Sequence, residues 1–238
     1  MRPSFQIMEA AFPAAGVGGA SPNVESYAVS RSDTGDLSYT ATLPSGIVSG
    51  NFLLLFVVTG SDNASVGTPS GWTQLRTETT TGGTTPGGYT DALVSVFYKV
   101  ASGSEGATVS GSLGGYSAAA CFTVRVAGGV SVSADSAIVD NALITGTHTQ
   151  ATPSVSNPSA SLLLIYKALV SPGGTWNFTF GSGTKLSQSD DANSERLSVA
   201  SLALSSSGST GNIDAVATLT PSYWVSIGVA GQVVIASS

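Results

Sequence analysis

The segment Asn51–Thr59, NFLLLFVVT, decides the fold class of this chain. It is apolar at every position from Phe52 to Val58, and its length is typical of a β-strand. Turn-forming residues bound it on both sides, with PSG at 44–46 and GSDN at 60–63. Such a short run, apolar on both faces, predicts a central strand that is covered on both sides.

Further strand-like segments follow at short intervals, with Gly- and Ser-rich turns between them and no helical period. They are 92–100 (ALVSVFYKV), 118–126 (AAACFTVRV), 161–168 (SLLLIYKA), 176–180 (WNFTF), 197–204 (LSVASLAL) and 223–235 (YWVSIGVAGQVVI). This pattern predicts an all-β chain, folded as a jelly-roll-type antiparallel β-sandwich.

The composition excludes several classes of protein. Of 238 residues, 42% are hydrophobic and 9% are charged, which is too apolar for a disordered chain. The net charge of -6 argues against nucleic acid and anionic membranes as partners, because both attract basic surfaces. Cys121 is the single cysteine, so there is no internal disulfide, and no apolar run has the length of a membrane helix. We expect synthesis in a reducing host cytoplasm.

The chain divides into two parts by composition. Residues 1–44 are rich in Ala, Gly and Pro without a sustained period, and they predict an extended N-terminal arm. Residues 45–238 predict the β-sandwich domain, in which 45–130 and 155–238 echo each other faintly. Two interpretations stay open: one jelly roll whose related halves contribute strands to both sheets, which we favour, or two small β domains in tandem.

Short motifs are spread over roughly residues 45–235. They are carried by Gly50, Leu53, Leu54, Pro69, Gly71, Trp72, Leu75, Tyr98, Lys99, Ala101, Gly103, Glu105 and Trp224. Their order resembles a β-sandwich pattern of phage- and prophage-encoded proteins, from which the chain departs at Asn51, where an acidic residue is more usual. The resemblance implies a jelly-roll or concanavalin-like virion protein of the decoration, spike or tail-appendage type.

Residues that could carry chemistry are few and scattered. His148, the single histidine, lies in THTQAT and is predicted to be a solvated loop residue, since a triad or a zinc site needs several positioned groups. Cys121 is predicted to pack as a small apolar side chain. Glu78 and Glu105 are isolated in polar turns, whereas a glycosidase needs two paired carboxylates. We therefore expect no catalytic residue, no metal and no cofactor.

An acidic segment and three tryptophans suggest ligand sites. Asp191, Asn193 and Glu195 alternate like calcium ligands, but the spacing of a calcium loop is incomplete, and a solvated acidic turn is predicted. Trp72 and Trp224 are predicted to be packing residues of the fold. Trp176 is the least constrained, and it is the candidate glycan contact.

These observations lead to an expected role. The resemblance and the arm favour a non-enzymatic capsid decoration (cement, head-stabilising) protein of a bacteriophage, a homotrimer on the virion surface that binds the major capsid protein or other virion proteins. Its arm would insert apolar side chains into grooves of the partner: Phe5, Ile7, Met8, Phe12 and Val17. The alternative is a receptor- or carbohydrate-binding module of a tail fibre or spike.

Overall fold

The computed structural model of this chain contains strands joined by turns and loops, and its described residues form no helix. The described residues are 21–60, 65–80, 91–128, 131–158, 161–171, 174–190, 194–220 and 225–237. The first half of the molecule holds β1 to β5, which are Asn23–Thr42, Phe52–Thr59, Thr73–Thr79, Leu93–Val100 and Thr108–Ala127. The second half holds β6 to β15, which are Ser131–Thr145, Thr147–Thr152, Ser156–Asn157, Ser161–Val170, Thr175–Phe180, Thr184–Asp190, Glu195–Leu204, Gly208–Ser209, Ile213–Thr220 and Val225–Ala236.

Each half builds one five-stranded antiparallel sheet, and the two sheets have the same order. The first sheet runs β1-β5-β2-β4-β3, and the second runs β6-β15-β9-β12-β11, so each strand of one large sheet has an equivalent in the other large sheet. A small sheet, β10-β14-β7, covers the second sheet, and β8 pairs with β13. The prediction of an all-β antiparallel sandwich is confirmed, and the jelly-roll designation stays a prediction.

The common order corrects the predicted boundaries. Residues 23–42 are not part of an arm, because β1 pairs with β5 along its length, from Asn23↔Ala127 to Thr42↔Thr108. The second half begins at Ser131 rather than at residue 155. Each half contributes its own large sheet, so the halves do not share strands between sheets as the favoured interpretation had it. Residues 1–20 of the predicted arm lie outside the described residues.

β1 folds back over its own sheet. The amide of Thr42 donates to the hydroxyl of Ser30 at 3.0 Å, and the amide of Thr40 donates to the hydroxyl of Ser32 at 3.0 Å. Thr123 of β5 donates its hydroxyl hydrogen to the carbonyl of Thr42 at 2.6 Å. The second part of β1 therefore covers the outer face of the first sheet.

Three layers of apolar side chains result. A shared core lies between the two large sheets and includes Phe52, Leu54 and Phe56 of β2 with Leu164 and Tyr166 of β9. The first inner core lies under the folded-back part of β1, and the second inner core lies between the second sheet and the small sheet. β2 and β9 are buried at every position because both faces are covered, as predicted for 51–59.

The two halves pack against each other through equivalent residues and strands. Phe56 and Tyr166 occupy equivalent positions and contact each other, with ring centroids 5.4 Å apart. On the two sides of this contact, β1 lies against β11 and β3 lies against the equivalent of β1, which is β6. The halves thus meet as two similar subunits of a symmetric dimer would.

Candidate functional site

An open groove of about 420 Å³ lies where the start of β1 crosses the second sheet. Residues 22–27 form one wall, and Thr184, Leu186 and residues 201–203 form the other, with Leu162 at the base. We call this feature the β1 groove. It combines apolar and polar side chains at the edge of the first sheet.

Tyr27 is the exposed aromatic of the β1 groove. The residue is 43% exposed, and its ring stacks on Phe122 with centroids 5.7 Å apart and an interplanar angle of 26°. Glu25 accepts a hydrogen bond from Asn23 Nδ2 at 2.8 Å, and its carboxylate is 3.7 Å from Arg125 Nη2. An exposed ring beside amide, carboxylate and hydroxyl groups can bind a ligand that has both apolar faces and hydroxyls.

The equivalent location on the other side of the molecule, between β6 and β3, is closed by an ion pair. Asp135 of β6 pairs with Val233, just as Tyr27 of β1 pairs with Val124. Arg76 of β3 donates from Nε to Asp135 and from Nη1 to Glu78. Burial lowers the pKa of Arg76, but the hydrogen bonds to both carboxylates outweigh burial, and its pKa is raised. The ion pair therefore joins β3 to β6, whereas the β1 side stays open.

A second feature is a polar cluster in the second inner core. Lys167 of β9 is completely buried, and its Nζ donates to Oε1 of the buried Gln150 on β7. Gln232 of β15, also buried, donates from Nε2 to Thr152 Oγ1 at 2.6 Å and to the Gly211 carbonyl at 3.0 Å. The structure thus holds a lysine in the interior, although lysine is rarely buried completely.

Several predicted residues lie in places other than those expected. Trp176 is 1% exposed and packs with Leu169 and Phe178, so its ring has no face available for a sugar, and the predicted glycan contact is wrong. His148 is a buried residue of β7 rather than a solvated loop residue, because alternate residues of THTQAT point inward. Glu195 is likewise buried, as the first residue of β12.

Other predicted positions agree with the structure or lie outside it. Trp72 packs in the first inner core, as predicted, and so does Cys121, where burial raises the pKa of the thiol to about 12. The remaining candidates lie outside the described residues: Phe5, Ile7, Met8, Phe12, Val17, Asp191, Asn193 and Trp224.

The Lys-x-Ala-x-Gly-x-Glu motif closes a turn. Glu105 accepts hydrogen bonds from the amides of Ser102 at 2.8 Å and Gly103 at 2.9 Å, and Lys99 Nζ is 3.2 Å from its carboxylate. Gly103 has a φ of +88°, and a Cβ there would lie 2.8 Å from the amide nitrogen of Ser49. The burial of Glu105 opposes a lower pKa, but the hydrogen bonds outweigh it and lower the pKa to about 2. The motif is a structural device in this chain.

Sequence reasoning missed Tyr27, Lys167 and Gln150. Tyr27 lay within the predicted arm, and Lys167 lay in the segment 161–168, which was predicted only to be a strand. Where the structure describes the chain, no group of His, Cys, Asp and Glu is arranged to hold a metal ion. The same residues include no helix with the length and apolar character needed to cross a bilayer.

Comparison with family models, curated proteins and solved structures finds no match to this chain.

Proposed function

We propose that this chain is a structural protein of a virion, of the capsid decoration type that its motifs resemble. In this proposal residues 1–20 attach the protein to the capsid. The observation that carries the proposal is the point where the chain enters the sandwich. Pro22 and Asn23 line the β1 groove at the edge of the first sheet. A segment that precedes an edge strand can reach a neighbouring protein without crossing the sandwich, and 20 extended residues span about 65 Å.

The attachment rests on several weak anchors. Phe5, Ile7, Met8, Phe12 and Val17 would enter grooves of the major capsid protein or another virion protein. Burial of each large side chain contributes about 1.5–3 kcal/mol, whereas ordering each backbone residue costs about 1–2 kcal/mol. The anchors therefore act only together, and a homotrimer on the capsid surface would add avidity.

Deletion of residues 2–20 tests the proposal while leaving β1 intact. We expect the full chain to co-sediment with empty capsids and the deletion variant to remain in the supernatant. A matched variant of full length, with serine at the five anchor positions, should behave like the deletion. If both variants still co-sediment, the attachment lies elsewhere and the proposal is wrong.

A second candidate is a carbohydrate-binding module, which the β1 groove favours. The exposed ring of Tyr27 could stack on a sugar, while Asn23, Glu25 and Thr184 of the same groove offer hydrogen bonds. Binding of the full chain to a glycan array tests it. Tyr27→Ala should abolish binding, and Val29→Ala, at another exposed residue of β1, should retain it. Equal binding by both variants would exclude the groove.

A further inference from the structure

The pair formed by Lys167 and Gln150 joins two different sheets. Lys167 belongs to β9 of the second sheet, and Gln150 belongs to β7 of the small sheet. Nζ of Lys167 donates a hydrogen bond to Oε1 of Gln150. Because Oε1 is bonded to Cδ, the carboxamide carbon, the amine lies next to that carbon. The other side of the carboxamide is fixed, because Nε2 of Gln150 donates to the Gly228 carbonyl at 3.1 Å.

The surroundings of this pair favour reaction between amine and amide over hydrolysis. Lys167 is 0% exposed and Gln150 is 4% exposed, so bulk water has no access. Burial favours the neutral form of an amine, which is the nucleophilic form. His148 lies two residues before Gln150 on the same inward face of β7, and an imidazole can accept and return a proton. Because both partners are held on strands of a packed sandwich, they are kept in contact.

We propose that Lys167 and Gln150 form an intramolecular isopeptide bond. The lone pair of neutral Nζ attacks Cδ of Gln150, and a new carbon–nitrogen bond forms. The Cδ–Nε2 bond then breaks, and one proton passes from Nζ to the departing Nε2, which leaves as ammonia. No atom is oxidised or reduced. The product is a neutral secondary amide, so this side chain can no longer become an ammonium ion, which is costly in an interior.

The bond would link the second sheet to the small sheet covalently. Residues 150–167 would form a closed loop, which restricts the unfolded chain as a disulfide does. At the equivalent position of the first half no such bond can form, because the residue of β2 that corresponds to Lys167 is Val57. The cross-link is independent of how residues 1–20 attach the protein, so either proposal can fail alone.

Mass spectrometry of the purified full chain tests the bond. The intact mass should be lower than the sequence mass by about 17 Da, the mass of ammonia. Trypsin normally cleaves after Lys167, and the next sites on either side are Arg125 and Lys185. Since an acylated lysine resists trypsin, the digest should contain one peptide, 126–185, that is lighter by the same amount.

Variants identify the two residues. Lys167→Met and Gln150→Leu should each restore the full sequence mass. Gln232→Leu, the same change at a neighbouring buried glutamine, should keep the loss. A wild-type chain of unmodified mass that releases 126–167 and 168–185 would overturn the proposal. So would a loss of ammonia that leaves cleavage after Lys167 complete, because that loss belongs to another residue.

Discussion

Val57 and Lys167 occupy equivalent positions in the two halves, yet one side chain is apolar and the other ends in an amine. Val57 lies between Ser95 and Cys121 of the adjoining strands, and Lys167 lies between Ser198 and Ala230. The first inner core around Val57 is built of side chains such as Leu55, Phe97 and Cys121, whereas the second inner core contains the polar cluster. The same strand order thus tolerates either interior, provided that buried polar groups have partners.

The shared core varies less than the inner cores. Leu54 and Val58 of β2 correspond to Leu164 and Ala168 of β9, and all four are buried between the sheets. At the centre both residues of one cross-strand pair differ, because Phe56 and Phe122 of the first half correspond to Tyr166 and Gly231. The packing of sheet on sheet therefore depends on this apolar layer, whose central pair differs between the halves.

Introduction of the lysine of the second half at the equivalent position of the first half, Val57, gives the largest expected effect on stability. Val57→Lys would place an ammonium ion in the apolar first inner core, and we expect a loss of about 3–5 kcal/mol in the free energy of unfolding, as for an unpaired buried charge. Urea denaturation of the variant and the wild type measures it. Val57→Met, which is close to lysine in length but uncharged, should lose only about 1–3 kcal/mol. Equal losses would mean that size, not charge, decides the exchange.

The strands of both large sheets were predictable where burial is continuous. The apolar run of β2 and its counterpart in β9 predict central strands, because a strand with apolar side chains on both faces must be covered on both sides. β1 was missed because it is an edge strand, and its first part, 23–31, alternates between half-buried and exposed residues without a fully buried face.

The candidate sites were harder to predict, since they depend on contacts between distant segments. The polar pattern of THTQAT hides His148 and Gln150, whose burial depends on the second sheet lying beneath β7. The β1 groove arises because Tyr27 faces the gap that Asp135 and Arg76 close on the equivalent side. Neither relation is local in sequence, and both need the order of the strands.

Gly231 tests the difference at the centre of the shared core. A Cβ at this position would meet the carbonyl oxygen of Ser136 and lie 2.5 Å from the hydroxyl of Tyr166. Gly231→Ala should therefore lower the free energy of unfolding by about 1–3 kcal/mol through overpacking, measured by urea denaturation. Gly115→Ala, at a glycine whose Cβ would meet no atom within 4 Å, is the control and should have a smaller effect. Similar losses in both variants would contradict a steric cause.

The turn that follows β4 distinguishes the halves by pH. Glu105 has its pKa lowered from 4.5 to about 2, so its carboxylate stabilises the fold above pH 4.5, and this contribution is lost as the pH falls towards 2. The turn after β12 has only serines and Gly208. Glu105→Gln should lower the free energy of unfolding by about 1–2 kcal/mol at pH 7, less than the full linkage value because solvent screens the turn. Urea denaturation between pH 7 and pH 2 should show this gap closing; a constant gap would mean that the charge is not its cause.

The smallest expected effect concerns the side of the interface that the ion pair closes. Arg76 and Asp135 keep 27% and 19% of their side-chain surface, so solvent screens their attraction, and Arg76→Met should lower the free energy of unfolding by only about 0.5–1 kcal/mol. Because salt screens exposed charges, the difference from the wild type should shrink between 0.05 M and 1 M NaCl in urea denaturation. Lys185→Met is the control, because the amine of Lys185 lies 3.2 Å from Gln188 Oε1 and, among the described residues, forms no ion pair between the halves. Its effect on the free energy of unfolding should depend little on salt. If Arg76→Met loses as much stability at high salt as at low salt, the ion pair is not the cause of the loss. The asymmetry with the β1 groove would then come from packing of the methylene stem of the arginine rather than from its charge.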